Sequence, residues 1–146
     1  MAASPSLSLV AESAAVQPAS DFVCRGAEEA GLPPGRLPDL ALVMEEILMN
    51  VVRHAYPAGV QGVVEISYAV PAPGCLQVEI ADRGVAFNPL TYPEPDLNAS
   101  LEDRPVGGLG VFLTRQFTDS LEYLRDGAWN RVRFALMAAS SVRASE

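Results

Sequence analysis

Apolar residues recur along the chain either every three to four positions or at every second position. The first spacing predicts helices and the second predicts strands. Helical spacing, every three to four positions, runs over Gln17–Ala30 and over about Pro38–His54. A glycine-led apolar segment, Val111–Phe117, predicts a third helix. Strand-like runs, several of them alternating, predict five strands: Leu7–Val10, Val63–Val70, Cys75–Ala81, Ser120–Arg125 and Asn130–Met137.

The order of these elements predicts the fold class. Turns at Pro71–Gly74 and at Asp126-Gly127 join neighbouring strands as hairpins, which pair antiparallel. We therefore expect an α+β two-layer sandwich, with a mixed, mostly antiparallel sheet covered on one face by helices. A doubly wound fold is disfavoured because the strands and helices do not alternate.

One domain over residues 1–146 is expected, with loose tails at about 1–6 and 138–146. The stretch from about residue 88 to 107 is rich in proline and acidic residues and has little periodicity, which predicts a functional loop such as a lid.

Composition excludes several classes of function. The net charge of −8 disfavours a nucleic-acid binder, and all ten basic residues are arginine, which removes any P-loop or Schiff-base lysine. Cys24 and Cys75 lack metal-ligand spacing, so two reduced thiols are expected. No signal peptide and no membrane span is predicted, so the expected location is the cytoplasm.

A carboxylate, an amide and an imidazole follow one line on the second helix. Glu46, Asn50 and His54 are each four residues apart, so they lie on one face. Asn50 offers a neutral oxygen to Mg²⁺, and Glu46 is placed to deprotonate a nucleophile. Taken alone, a solvated Glu46 and a helix-surface Asn50 are the commoner interpretation, although Glu45 is the more typical solvated neighbour. His54 is expected to form a hydrogen bond near the site.

Two further blocks carry candidate chemistry. Asp82 ends a strand and is suited to accept a hydrogen bond from the exocyclic amine of adenine, with Gly84 allowing close backbone approach and Phe87 forming an apolar wall. An ordinary Asp-x-Gly turn is the alternative. The cluster Gly107-Gly108-Leu109-Gly110 presents backbone N–H groups to an anion at a helix start, or it is a flexible joint. Arg104 stands just before this glycine cluster. It either contacts a phosphate or is a solvated residue of the lid.

In this order the blocks resemble the N, G1 and G2 boxes of the GHKL ATPase superfamily, which has the Bergerat (histidine-kinase-like ATPase) fold. They are closest to the small bacterial anti-sigma-factor serine/threonine kinases of the RsbW type. The resemblance covers residues 20 to 137 and is carried by Glu45–Tyr56, Asp82–Pro89 and Gly107–Leu113.

The resemblance implies roles for individual residues. Glu46 would be the general base and Asn50 the Mg²⁺ ligand, while Asp82, beside Gly84, would bind the adenine of ATP. Gly108 and Gly110 would meet the phosphates as part of the lid. Ala86 replaces a second glycine of the G1 box. Many members carry a threonine in the last strand that supports the aspartate. The nearest positions here are Asn130 and Arg131, of which Asn130 can still form that hydrogen bond.

It also implies partners: an anti-anti-sigma (STAS-type) protein that is phosphorylated, a sigma factor that is sequestered, and a second copy in a homodimer. The alternative is a nucleotide-dependent protein-interaction module without phosphoryl transfer. A histidine kinase catalytic domain is disfavoured because the sole histidine lies in the first block. Gyrase-like and chaperone ATPases are disfavoured because the chain is too short for their other domains.

Overall fold

The computed structural model describes residues 4–88 and 114–139. Their helices and strands are, in chain order, β1 (Ser6–Val10), α1 (Val16–Ala30), α2 (Leu37–His54), β2 (Val63–Ala72), β3 (Cys75–Asp82), β4 (Ser120–Asp126) and β5 (Trp129–Met137). Short 3-10 turns, Ser13–Ala15 and Pro34–Arg36, precede α1 and α2. Residues 114–117 are also helical, which agrees with the end of the predicted third helix; the remainder of that helix lies outside the described residues.

The strands form one sheet in the order β1-β2-β3-β5-β4, and each of its four pairings is antiparallel. The α+β two-layer prediction is thus confirmed. The described part of the sheet is antiparallel throughout, so the parallel pairing that a mixed sheet would need is absent from this part. Strands β1 and β4 are its two edges.

Both helices pack on one face of the sheet. The three central strands alternate, with one set of side chains buried beneath the helices: Val64, Ile66 and Tyr68 on β2, Leu76, Val78 and Ile80 on β3, and Val132, Phe134 and Leu136 on β5. Leu40, Val43, Met44, Ile47, Leu48 and Val51 complete the core from α2. The helical stripe and the strand alternation therefore meet in one core, as their periods predicted.

Several element ends differ from the prediction by one or two residues, and three of these differences concern strand pairing. Ser6 was assigned to a loose tail, but it pairs with Ser67 in the sheet. The first hairpin turn is shorter than predicted, because β2 continues to Ala72 and β3 begins at Cys75, with a register shift before that last pair. In the second hairpin Asp126 belongs to β4, since it pairs with Trp129 around the turn.

Candidate functional site

The candidate site lies where β3 ends and β5 begins, beneath the last turns of α2. Asp82 and Asn130 are directly opposite each other in the β3–β5 register. The turn after β3 returns to the helix end, where the Val85 N–H donates to the Ala55 carbonyl oxygen at 2.7 Å. This contact holds the end of the strand against the C-terminus of α2.

The Asp82 carboxylate is buried, with 4% of the residue exposed, and its two oxygens have different surroundings. Oδ1 accepts a hydrogen bond from the Gly84 N–H at 2.8 Å and one from Asn130 Nδ2 at 2.9 Å. Oδ2 makes no hydrogen bond to any described residue. A buried carboxylate oxygen normally has a donor, so Oδ2 is available to accept one from a ligand.

A narrow pocket of about 20 Å³ adjoins this carboxylate, with room for one water molecule. Its lining combines an apolar wall with three polar side chains: Ile47, Val51, Ala55, Phe87 and Val132 with Asn50, Asp82 and Asn130. The structure thus brings together three of the predicted site residues from separate elements and places Phe87 in the apolar wall. A purine ring is larger than this space, so its binding requires the walls to separate.

Asn50 is buried, with 6% of the residue exposed, and its side-chain amide makes no hydrogen bond to the residues that the structure describes. Such an unpaired buried amide costs about 1–3 kcal/mol in folding, so it is uncommon without a ligand. A neutral oxygen in this position fits Mg²⁺, which takes few protein ligands and completes its shell with water and phosphate oxygens. The residues present therefore fit the predicted metal.

Glu46 lies one turn before Asn50 on α2 and is half-buried, whereas its neighbour Glu45 is exposed. The Glu46 carboxylate forms no ion pair or hydrogen bond with any residue in the described ranges. Its role toward a substrate stays a prediction, and Glu45 is the solvated neighbour that the sequence predicted.

His54, the last residue of α2, stacks on Phe87 with ring centroids 4.3 Å apart and planes inclined by 22°. No hydrogen bond joins the His54 ring to another described residue, so the expected hydrogen bond stays a prediction. The stack closes one side of the pocket that Phe87 lines. Contact of either ring with a nucleotide stays a prediction.

Gly84 permits a close approach of two backbone segments, the turn after β3 and the end of α2. A Cβ at this position would lie 2.1 Å from the Ala55 carbonyl oxygen, well inside contact distance. The glycine therefore allows the turn after β3 to pass against the end of α2. Its predicted proximity to a base stays a prediction.

Five predicted site residues lie outside the described residues: Arg104, Gly107, Gly108, Leu109 and Gly110. The predicted lid, about residues 88–107, lies outside them as well apart from Asn88. Their roles toward phosphate remain predictions from the sequence.

The sequence reasoning did not single out two side chains of β4 that reach the site. The Tyr123 hydroxyl donates to Asn130 Oδ1 at 2.5 Å, and Arg125 Nη1 donates to the same oxygen at 3.1 Å. The predicted hairpin could have indicated both residues. Tyr123 and Arg125 are two apart on one strand, so they share a face, and the hairpin places this face beside Asn130 on the partner strand.

Larger hollows lie elsewhere on the protein. One of about 400 Å³ crosses the open face of the sheet, where Glu79 and Arg133 form an exposed ion pair of 2.7 Å. None of the predicted site residues lines it. Size alone would favour it, but the smaller pocket combines an apolar wall with buried polar atoms that have no partner in the described part of the chain, so we assign the site there.

Comparison with known proteins assigns the chain to a protein family. Residues 9–136 match the family described as the histidine kinase-like ATPase domain. The chain belongs to this family. The match confirms the resemblance to the GHKL ATPases, and it includes every residue of the candidate site.

Curated relatives of this histidine kinase-like ATPase domain are named as kinases. The chain is 33% identical over 93 residues to the serine/threonine-protein kinase BtrW of Bordetella bronchiseptica, which covers 64% of this chain and 65% of the relative. It is 29% identical over 104 residues to the serine-protein kinase RsbW of Bacillus mycoides, covering 68% and 64%. The matches thus span just under two thirds of these relatives' own length.

Solved structures share the fold. The RsbU and RsbW domains of a Mycobacterium tuberculosis protein superpose with a TM-score of 0.61 at 15% identity, over 93% of this chain and 33% of that one. The histidine kinase domain of a blue-light activated kinase from Erythrobacter litoralis gives 0.55 at 17% identity, over 92% and 65%. Among the described residues of this ATPase-family chain, no helix is long and apolar enough to span a membrane.

Proposed function

We propose that this protein binds Mg²⁺-ATP and transfers the γ-phosphoryl group to a serine or threonine of a protein partner. The observation that carries the proposal is the pocket in which Asp82 Oδ2 and the Asn50 amide both lack partners among the described residues. A carboxylate oxygen that can accept from an amine and an amide oxygen that can bind a metal ion, both at one apolar pocket, support a nucleotide with Mg²⁺ as the ligand. The kinase names of relatives at 33% and 29% identity support transfer.

In this proposal Asp82 accepts a hydrogen bond from the exocyclic amine of adenine, while Phe87 and the apolar wall cover the ring. Asn50 supplies an oxygen to Mg²⁺, which, when bound, neutralises charge on the phosphates. The partners follow the RsbW-type resemblance: an anti-anti-sigma (STAS-type) protein carries the target hydroxyl, and a sigma factor is sequestered. A homodimer in the cytoplasm is part of the same proposal.

The transfer step assigns one proton acceptor. The hydroxyl oxygen of the partner forms a bond to the γ-phosphorus, and Glu46 accepts the proton that this hydroxyl loses. The bond between the γ-phosphorus and the β,γ-bridging oxygen breaks, and ADP leaves with that electron pair. Positioning supplies much of the rate, so Glu46 is expected to matter for transfer and little for ATP affinity.

Two neighbouring glutamates allow a matched test. Glu46→Gln and Glu45→Gln remove the same charge from adjacent positions of α2, one half-buried at the site and one exposed. With a STAS-type substrate and [γ-³²P]ATP, we expect transfer to fall at least about a hundredfold in Glu46→Gln, the typical contribution of a general base. Glu45→Gln should retain transfer, and both variants should bind ATP like the wild type.

The alternative is a nucleotide-dependent interaction module that transfers nothing. It predicts ATP-dependent partner binding without label on the partner, in the wild type as in Glu46→Gln. Equal transfer by wild type and Glu46→Gln would contradict the role of Glu46. Absence of ATP binding, with and without Mg²⁺, would contradict the proposed function as a whole.

A further inference from the structure

The Asn130 side chain is held by two donors from the edge strand β4. The Tyr123 hydroxyl lies 2.5 Å and Arg125 Nη1 lies 3.1 Å from Asn130 Oδ1. Arg125 is directly opposite Asn130 in the β4–β5 register, and Tyr123 shares the face of Arg125 because the two are two residues apart. Both donors therefore approach the amide from the side away from Asp82.

These donors select one of the two orientations of the Asn130 amide. A guanidinium can only donate, so the amide oxygen must face β4 and the amide nitrogen must face the other side. The Phe87 backbone N–H adds a third, longer hydrogen bond to Asn130 Oδ1 at 3.4 Å, which favours the same orientation. On the side away from β4, Nδ2 donates to Asp82 Oδ1 at 2.9 Å and to the Val85 carbonyl oxygen at 2.8 Å. The flipped amide would set its oxygen against the Asp82 carboxylate, two acceptors with no proton between them.

The orientation of the amide decides which atom of Asp82 remains for a ligand. With Nδ2 facing it, Oδ1 has two donors, from Asn130 and from the Gly84 N–H. Oδ2 alone is left without a donor in the described part of the chain. Arg125 fixes the same turn from outside, since Nη1 also donates to the Gly84 carbonyl oxygen at 2.9 Å.

We propose that Tyr123 and Arg125 are specificity-determining positioning residues: by fixing the Asn130 amide, they aim Asp82 Oδ2 at the exocyclic amine of a bound purine. The inference rests on the proposed function and deepens it. Neither side chain touches the base. Their removal acts through Asn130 and Asp82, so the effect is confined to bases that carry the amine.

The test compares two nucleotides that differ in one group. Affinities of the full chain for ATP and for purine riboside triphosphate, which lacks the exocyclic amine, are measured by calorimetry for wild type and Tyr123→Phe. We expect the wild type to prefer ATP, and Tyr123→Phe to lose about tenfold in ATP affinity, the effect of one charge-assisted hydrogen bond. Affinity for the analogue should stay unchanged.

A purely structural role of the network predicts a different result. Loosening of the hairpin would lower both affinities equally, and that outcome, like no change in either, would overturn the inference. Arg125→Met is the second variant if Tyr123→Phe does not fold, and it should show the same selective loss. Glu122→Gln, on the opposite face of β4 next to Tyr123, is the matched control and should change neither affinity.

Replacement of the amide gives an independent readout. Asn130→Thr offers a hydroxyl that rotates to donate to Asp82 and has no two ends to choose between. This variant should keep its preference for ATP, and adding Tyr123→Phe to it should cost little. A tenfold loss that persists in the double variant would contradict the orientation mechanism. A wild type that shows no preference for the amine would instead contradict the role of Asp82 in the proposed function.

Discussion

Arg36 and Asp119 form a buried ion pair between residues 83 positions apart: Arg36 Nη2 lies 2.9 Å from Asp119 Oδ2, and both side chains are 5% exposed. The guanidinium also pairs with Asp39 at 2.8 Å and donates through Nε to the Met137 carbonyl oxygen at 3.2 Å. One side chain therefore joins the start of α2 to the start of β4 and the end of β5, at the ends of these elements that lie away from the candidate site.

Removal of Arg36 should destabilise the fold strongly. In Arg36→Met the buried carboxylates of Asp39 and Asp119 lose the charge of Arg36, and we expect the free energy of unfolding to fall by about 3–5 kcal/mol in urea denaturation. Arg133→Met is the control, because its ion pair with Glu79 is half-exposed and should cost less than about 1 kcal/mol. Equal losses in the two variants would contradict the burial argument.

A methyl group at Gly84 should disrupt the turn after β3. The added Cβ would meet the Ala55 carbonyl oxygen at 2.1 Å, so the turn or the helix end must move. We expect Gly84→Ala to lose about 1–3 kcal/mol of stability and most of its ATP affinity. Gly35→Ala is matched to it, since no atom lies within 4 Å of its Cβ position, and should be nearly neutral. Thermal unfolding and ATP titration of both variants measure the difference.

Replacement of Asn50 by an apolar residue should increase the free energy of unfolding. Its buried amide has no partner in the described residues, so Asn50→Leu removes an unsatisfied group and should raise the free energy of unfolding by about 1 kcal/mol. The same change should abolish the Mg²⁺-dependent part of ATP affinity. Unfolding in urea and ATP titration with and without Mg²⁺ are the measurements. Destabilisation with retained Mg²⁺ dependence would assign Asn50 to structure instead.

The Cys24 thiol should lose its proton at a higher pH than an ordinary cysteine does. Partial burial, followed by the carboxylates of Asp21 and Glu28, raises the pKa of Cys24 above its ordinary value of 9.0. A raised pKa in the folded state stabilises folding below pH 9 and loses that contribution as the pH rises through the folded pKa. In a Cys75→Ser background, iodoacetamide alkylation of the folded chain should have its midpoint above pH 9, and the urea-unfolded chain near 9. Equal midpoints would contradict the shift.

The elements and the core could be predicted from the sequence. The spacing in α2 and the alternation in β2, β3 and β5 are local signals, and Leu40, Ile66 and Phe134 are fully buried as those patterns require. Asp82 and Asn130 each stand at the end of a predicted strand, but the pairing of β3 with β5, which brings them together from 48 positions apart, was not predicted. Errors are confined to element ends such as Ser6, where pairing with another strand decides the boundary.

Contacts between distant parts of the chain could not be predicted in this way. The position of Arg36 against Asp119, the closeness of Gly84 to Ala55 and the stack of His54 on Phe87 depend on how α2 settles on the sheet. Periodicity states which face of an element is buried, but it carries no register and no rotation relative to a neighbour. The amino-acid sequence thus specifies which polar groups stand at strand and helix ends. Packing between elements leaves Asp82 Oδ2 and the Asn50 amide without a partner among residues 4–88 and 114–139, since only the assembled neighbours decide which buried polar atoms find a donor or acceptor.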